Sequence, residues 1–411
     1  MKEASKMQEF DVVVIGAGPA GGQTARSLAT KGVKVLLVEK YKDFSLNNFS
    51  SAGMTLEPLK EFNIPESVVG AYWNDIVIQC TKKSYTWSAN SKKGVVLDFK
   101  KLRQFLADET IKYGGKVMMG CKYESKSILE NHVLVTLLDT SSSKKIEVKT
   151  KLLVDATGPL RKVMYDKDEA QPEMVLGSGT EYEIEVEQEV YDKFKNKLLF
   201  FLGHKWSIKG YSWIFPMQNR VLKVGAGKTH IQSVDQENTN KTTRKITEKI
   251  ISEYIKTKDY KIIDKHGGIL RYSIGLKDKF YHNKVVGVGD AVSAINPRGG
   301  EGIRYAMQTA ELASKYIQEY LNTGVNNFDK YRRSWRNKKL IKWKFSEYSA
   351  RRMYTRYTDN QVENRVNFLN KNFTINDIID SLFNFKYKKP FSRLFQYSFL
   401  KFQFLLKKQK F

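Results

Sequence analysis

Residues 12–39, VVVIGAGPAGGQTARSLATKGVKVLLVE, constrain this chain more than any other stretch. The stretch 11–15, β-branched from Val12 on, reads as a strand, and a helix-like run starting near Pro19 ends around Gly32. Between them Gly16, Gly18 and Gly21 form G-x-G-x-x-G. In that arrangement the first glycine permits a tight turn, the second lets the backbone approach a pyrophosphate, and the third allows close packing of helix on strand. Pro19 and Ala20 open the helix, whose free N–H groups and positive dipole end suit phosphate. The second strand, VKVLLV, ends at Glu39, 18 residues after Gly21 and followed by Lys40. A carboxylate there accepts hydrogen bonds from ribose hydroxyls and repels a 2′-phosphate. A lone glycine motif is weak, but strand, helix, strand and terminal acid in register predict a dinucleotide site.

Two later stretches decide which dinucleotide. KLLVDATGP (151–159) is an apolar strand returning to the same sheet and ending at Gly158. Residues 282–317 hold another strand, then Gly289-Asp290, then a turn running from Pro297 through Gly300 and Gly302 into a long amphipathic helix at Ile303. An acid after a glycine at a strand end suits a ribityl chain. The glycine-rich turn would aim a helix N-terminus at the N1–C2=O side of a flavin ring. The cofactor expected is FAD.

With 411 residues the chain can build two or three domains, and its only cysteines, Cys80 and Cys121, suit a reducing cytoplasm. No signal peptide and no apolar run of about 18 residues is evident. The net charge of +26 is uneven: residues 331–411 carry 20 Lys and Arg against 5 Asp and Glu. Such a region suits an anionic partner, and no nucleic-acid motif accompanies it, which leaves a membrane surface.

The order GAGPAG, Glu39, ATG, GD, PRGGEG resembles the FAD-dependent oxidoreductases built on the p-hydroxybenzoate hydroxylase plan, from about residue 9 to 320. Within them the chain is most similar to the geranylgeranyl reductase family. EFNIPESVV (61–69) resembles the segment after that family's flavin-contacting loop, and GYSWIFP (210–216) resembles its Y-x-W-x-F-P strand. The resemblance implies that Tyr211, Trp213 and Phe215 wall a substrate cavity near the flavin, with Tyr211 a candidate proton donor; aromatic core is the competing reading. Ser50, in NNFSSAGM with Gly53, stands where the family often has cysteine, so a thiol-assisted step is not expected. Phe99 stands where the family has a nucleotide-contacting arginine; Arg103, four residues on, either takes over that contact or lies on the surface.

The expected architecture is α/β: a Rossmann-like FAD-binding domain (1–60, 95–165, 265–325), an inserted antiparallel-sheet substrate domain (61–94, 166–264) and a helical, basic C-terminal region (326–411). The activity implied is hydride transfer from reduced FAD to a carbon–carbon double bond of a prenyl lipid. A flavin monooxygenase, a flavin-dependent cyclase and a membrane electron-transfer flavoprotein are the alternatives. The electron donor, whether NADPH, ferredoxin or another carrier, stays open, since no second strand–G-x-G-x-x-G–helix unit is present. No metal is expected: His132, His204, His230, His266 and His282 fall in no ligand or triad spacing and read as structural or exposed. Residues 381–411 combine 8 Lys and Arg and 10 Phe and Tyr with no acid. They suit peripheral docking on an anionic membrane or, alternatively, packing on the protein itself.

Overall fold

A computed structural model of the protein describes residues 7–386, apart from 208 and 231–241. The opening β-branched run forms β1 (Gln8–Ile15); Pro19 at the first helical position starts α1 (Pro19–Ala29), and β2 (Val35–Val38) follows. Next come β3 (Gly53–Thr55), α2 (Glu57–Glu61), β4 (Val69–Gln79), β5 (Ser84–Trp87) and β6 (Gly94–Leu97). Asp98 caps α3 (Phe99–Lys112), which leads to β7 (Lys116–Met118), β8 (Cys121–Ile128), β9 (Val133–Asp139) and β10 (Lys145–Asp155). The middle of the chain supplies β11 (Met174–Val186), α4 (Gln188–Phe194), β12 (Asn196–Phe201), β13 (Gly210–Pro216) and β14 (Val221–His230). It continues through α5 (Thr243–Lys249), β15 (Tyr260–Ser273), β16 (Tyr281–His282) and β17 (Val285–Gly287). The last helices are α6 (Ile303–Thr323), α7 (Phe328–Arg351), α8 (Asp359–Asn372) and α9 (Ile375–Leu382).

The strands form two sheets. The first runs β16-β17-β10-β1-β2-β7, with β8 and β9 joined through β10. Its inner pairs, β17·β10, β10·β1, β1·β2 and β2·β7, are parallel. Such strands are buried on both faces, which explains why β1 ends in the continuous apolar run Val12–Ile15 rather than alternating. Val12 and Val14 pack with residues of α1 and α6, whereas Val13 and Ile15 pack with Val133, Val135 and Leu137 of β9.

The second sheet runs β15-β11-β14-β13-β12-β4-β6-β3, with β5 on β4. One face, carrying Ile184, Ile214 and Leu222, packs with Val190 and Phe194 of α4 and Ile246 of α5. The other face carries Trp73, Trp213 and Phe215 and is covered by α8 and α9 through Val362, Val366 and Ile378. Three stretches expected in the first domain belong by pairing to this sheet, one of them 95–97 in β6, which pairs with β4. Gly53–Thr55 is laddered to β6, and β15 continues along β11 past residue 265 to Ser273. A strand's sheet is set by its hydrogen-bonded neighbour, which no local pattern in the sequence names.

The described C-terminal region is helical, and no described helix is long and apolar enough to cross a membrane. The aromatic segment expected at a membrane from residue 381 begins differently. Phe383 and Phe385 are buried, and the Phe385 ring stacks on Trp343 of α7, 5.4 Å between centroids. These rings complete the protein's own core, so the membrane reading fails for them; residues 387–411 lie outside the described residues.

Candidate FAD and substrate site

The glycine turn is built by close backbone contacts. Gly16 has φ +102°, and a Cβ there would stand 2.4 Å from the Ala156 carbonyl oxygen. A Cβ on Gly21 would come within 1.8 Å of the Gly16 oxygen. Gly18 differs: a Cβ there would meet nothing within 4 Å, so the peptide before α1 faces open space. Pro19 and Ala20 form the first helical turn behind it, with no acid in that turn to compete for an anion. Glu39, buried at the tip of β2, accepts hydrogen bonds from the backbone of Ala17 (2.9 Å) and Tyr41 (3.1 Å). It therefore ties the glycine turn to the second strand. Lys40 is exposed, its ammonium 4.6 Å above the Tyr41 ring.

Arg103 is buried rather than on the surface. It donates to the carbonyls of Phe44 and Leu46 and lies over the Phe44 and Phe99 rings, holding the loop after Glu39. Its Nε is buried without a partner. Ser50 and Gly53 sit further along that loop. The Ser50 carbonyl accepts from the buried Lys223 ammonium at 2.7 Å, and a Cβ on Gly53 would press against the Phe215 ring at 2.9 Å.

The ATG turn is shaped by Asp155, whose carboxylate accepts from Thr157, Val163 and Met164 backbone N–H groups. Beyond it Gly158 has φ +68° and faces open space. Gly289, at φ +63°, brings the third turn against α1: a Cβ there would lie 2.6 Å from the Ala20 Cβ. The Asp290 carboxylate then stands beside Gly302, the N-cap of α6, with Ile303 starting the helix. Burial pushes its carboxyl up to about 6, against the pull of Arg161. No described residue hydrogen-bonds its side chain. Pro297 is buried, and Asn296 closes the turn by exchanging backbone bonds with Gly300 and Glu301. Arg298 pins that turn to Ser349 of α7 and to Ser381 of α9 (both 3.0 Å).

The aromatic strand meets this turn. Tyr211, Trp213 and Phe215 alternate onto one face of β13, as period two requires. The Tyr211 hydroxyl donates to the Gly299 carbonyl at 2.6 Å, and burial raises its pKa out of reach of neutral pH. Trp213 and Phe215 are packed core residues beneath the C-terminal helices. The Trp213 indole lies on Gly225, where a Cβ would fall 2.2 Å from the ring, and its Nε1 donates to Glu181 at 2.6 Å.

Glu181 opens a polar line that motif reading missed. It is fully buried and also pairs with His266 Nε2 at 3.2 Å, while His266 Nδ1 meets the half-exposed Asp264 at 2.7 Å. Burial disfavours the imidazolium, but the bonds and charges of Glu181 and Asp264 outweigh it and raise the His266 pKa. One step along the sheet Lys223 pairs with Glu183 at 3.5 Å. The TEYEIEV alternation of β11 reads as one apolar and one solvated face; here the acidic face is turned inward, and the only hint was its cost if left unpaired. Among the described residues no group of His, Cys, Asp and Glu is arranged to hold a metal ion.

Three turns converging on two helix N-termini, with an unpartnered carboxylate between them, fit an FAD: N–H groups and dipole ends for the pyrophosphate, an acceptor for ribityl hydroxyls. That arrangement defines a flavoprotein. Residues 9–341 match the family model described as FAD binding domain, and the chain belongs to that family, an FAD-dependent oxidoreductase. It is 29% identical over 319 residues to a digeranylgeranylglycerophospholipid reductase of Haloferax volcanii, covering 74% of this chain and 75% of that one. It is 28% identical over 325 residues to digeranylgeranylglycerophospholipid reductase 1 of Methanosphaera stadtmanae, covering 76% and 77%. In fold it resembles a geranylgeranyl bacteriochlorophyll reductase-like protein of Thermoplasma acidophilum, with TM-score 0.80, 19% identity and coverage of 93% and 97%. It also resembles a p-nitrophenol 4-monooxygenase of Pseudomonas putida, with TM-score 0.71, 14% identity and coverage of 92% and 97%.

Proposed function

We propose that the protein reduces carbon–carbon double bonds in the prenyl chain of a lipid. The observation that carries this is the likeness, over about three quarters of the chain, to two archaeal digeranylgeranylglycerophospholipid reductases. Bound FAD, once reduced, supplies the hydride. The protein's part is to hold, orient and exclude water, because an isolated alkene has no developing oxyanion to stabilise.

In this reading Gly16, Gly18, Pro19, Ala20 and Gly21 take the pyrophosphate, Glu39 and Arg103 the adenosine side, and Asp290 the ribityl chain. Gly300, Gly302 and Ile303 present the N-terminus of α6 to the ring. Ser50 and Gly53 line its other side. Tyr211, Trp213 and Phe215 form the apolar wall, and Tyr211 also holds the Gly299–Gly300 turn in place through its hydroxyl. The proton for the second carbon enters along Asp264, His266 and Glu181, which step from the half-exposed Asp264 to full burial. A prenyl lipid is insoluble, so the protein meets it as a peripheral protein at a membrane surface.

The test is anaerobic. Dithionite-reduced protein is incubated with prenyl glycerolipids, and mass spectrometry looks for a gain of two hydrogens per double bond. Turnover that appears only with oxygen, as hydroxylated product, would overturn the reading.

A further inference from the structure

Among the described residues, the basic character of the C-terminal region is greatest on α7. In α7 nine Lys and Arg face two acids, Asp329 and Glu347. Its inner side is anchored: Tyr331, Trp335 and Trp343 are buried in the core around α6. Its outer side carries Ile341, 84% exposed and the most exposed large hydrophobic residue described, with Tyr348 on the same stripe two turns on, 55% exposed. Lys338, Lys342 and Lys344 lie three before, one after and three after Ile341, and all three are exposed. No described acid pairs with any of them, whereas Arg351 of the same helix is paired with Glu347 at 3.2 Å.

We propose that this outer face of α7 docks on an anionic lipid bilayer. An apolar tip ringed by unpaired lysines is what an interfacial helix presents: the tip enters the headgroup boundary while the ammonium groups meet lipid phosphates. Charge complementarity selects the anionic surface, and the isoleucine selects a bilayer over a nucleic acid, whose phosphates offer it nothing apolar at that spacing. The location has a consequence for the proposed reaction, on which the purpose of this surface rests. Ser346 and Ser349, on the inner side of α7, bond Arg298 of the Pro297–Gly300 turn. The bilayer would therefore lie one helix diameter, about 10 Å, from the turn beside the flavin site.

Flotation of the full-length holoprotein with vesicles tests it. Vesicles of phosphatidylglycerol with phosphatidylcholine should carry the protein up, and pure phosphatidylcholine should not; added salt should weaken binding. The triple variant Lys338→Glu, Lys342→Glu, Lys344→Glu should lose binding more than tenfold, and Ile341→Ser several-fold at unchanged charge. Both should keep their flavin and their circular dichroism. A full-length variant with Lys407, Lys408 and Lys410 changed to Glu separates the tail. The proposal fails if that variant alone loses binding, if the α7 variants float as the parent does, or if the parent binds duplex DNA but no vesicle. Reduction of a detergent-solubilised prenyl lipid reports on the reductase reading alone, so failure there with vesicle binding intact leaves the docking surface standing.

Discussion

The glycine turns of the first sheet and the inner face of the second sheet are built by opposite means. Around Gly16 and Gly21 the backbone itself makes the contacts, Gly289 meets the Ala20 Cβ, and at each of the three a side chain is excluded for a reason visible within a few ångströms. On the second sheet the chemistry lies in side chains brought together by register: Glu181 opposite Gly225 on β14 and His266 on β15, with Gly225 opposite Trp213 on β13. Where the backbone is in contact, as at Gly16 and Gly21, no side chain is tolerated. A register-built site tolerates many and answers by changing pKa values and packing.

The largest effect should come from breaking the backbone side. Gly21→Ala forces a Cβ into the Gly16 carbonyl, and we expect a loss of about 4 kcal/mol or more, with unfolded or flavin-free protein. Gly18→Ala is the sharpening control: its Cβ meets nothing, so the denaturation midpoint should hold while flavin content falls. If both variants unfold alike, Gly18 is structural and the phosphate role assigned to it is wrong.

Asp290→Asn comes next and should move two quantities in opposite directions. The carboxyl's folded pKa, about 6, lies above its unfolded value. The stability it contributes is therefore present below about pH 4 and lost as pH rises through 6. Removing the charge should stabilise the flavin-free protein at pH 7 by on the order of 2 kcal/mol. Flavin affinity should fall by about 1–3 kcal/mol as ribityl hydrogen bonds weaken. Equilibrium unfolding across pH, paired with flavin titration, reads both; a variant destabilised at pH 7 would contradict the burial argument.

These predictions follow the line between what the sequence showed and what it could not. The turns at Gly16 and Gly21 were legible because local geometry there excludes a side chain, whereas the cofactor roles of Gly18, Glu39 and Asp290 are proposals read from their spacing. The parallel sheet was legible because both faces are buried and the strands read as continuous apolar runs. Arg103 was visible only as two readings, since its burial depends on the loop that folds over it. Glu181 and His266 were hidden, because an acid alternating with apolar residues reads as a solvated face unless the neighbouring strand is known. Phe383 and Phe385 misled for the same reason: composition names a membrane-like segment, and only the position of Trp343 shows that the core takes them.

On the register-built side, Glu181→Gln should act through His266. The raised imidazole pKa means a contribution to stability present below the ordinary value near 6.5 and lost as pH rises through the folded value. With the buried carboxylate gone, that slope should flatten and the His266 titration, followed by NMR of ring protons, should drop. We expect about 1–3 kcal/mol at pH 6 and less at pH 8. An unchanged His266 titration would mean that Asp264 alone holds the proton.

The smallest expected effect tests whether Trp213 is a wall or a clamp. Trp213→Phe keeps an aromatic ring over Gly225 and removes one donor, the indole N–H that reaches Glu181 at 2.6 Å. The ring deletion costs little, because Phe still covers the glycine. The lost hydrogen bond costs about 1 kcal/mol, somewhat more if no water replaces it on the buried carboxylate. The second consequence is directional. A carboxylate with one donor fewer is a stronger base, so it should hold the His266 proton more tightly and move that titration upward, opposite to Glu181→Gln. Flavin content should not change, since no FAD role is assigned to the indole. If the proposed prenyl chain lies along this face, the shorter ring should also widen the range of chain lengths accepted. A variant with unchanged chain-length preference and the upward His266 shift would make Trp213 a clamp on Glu181, leaving the wall to Tyr211 and Phe215.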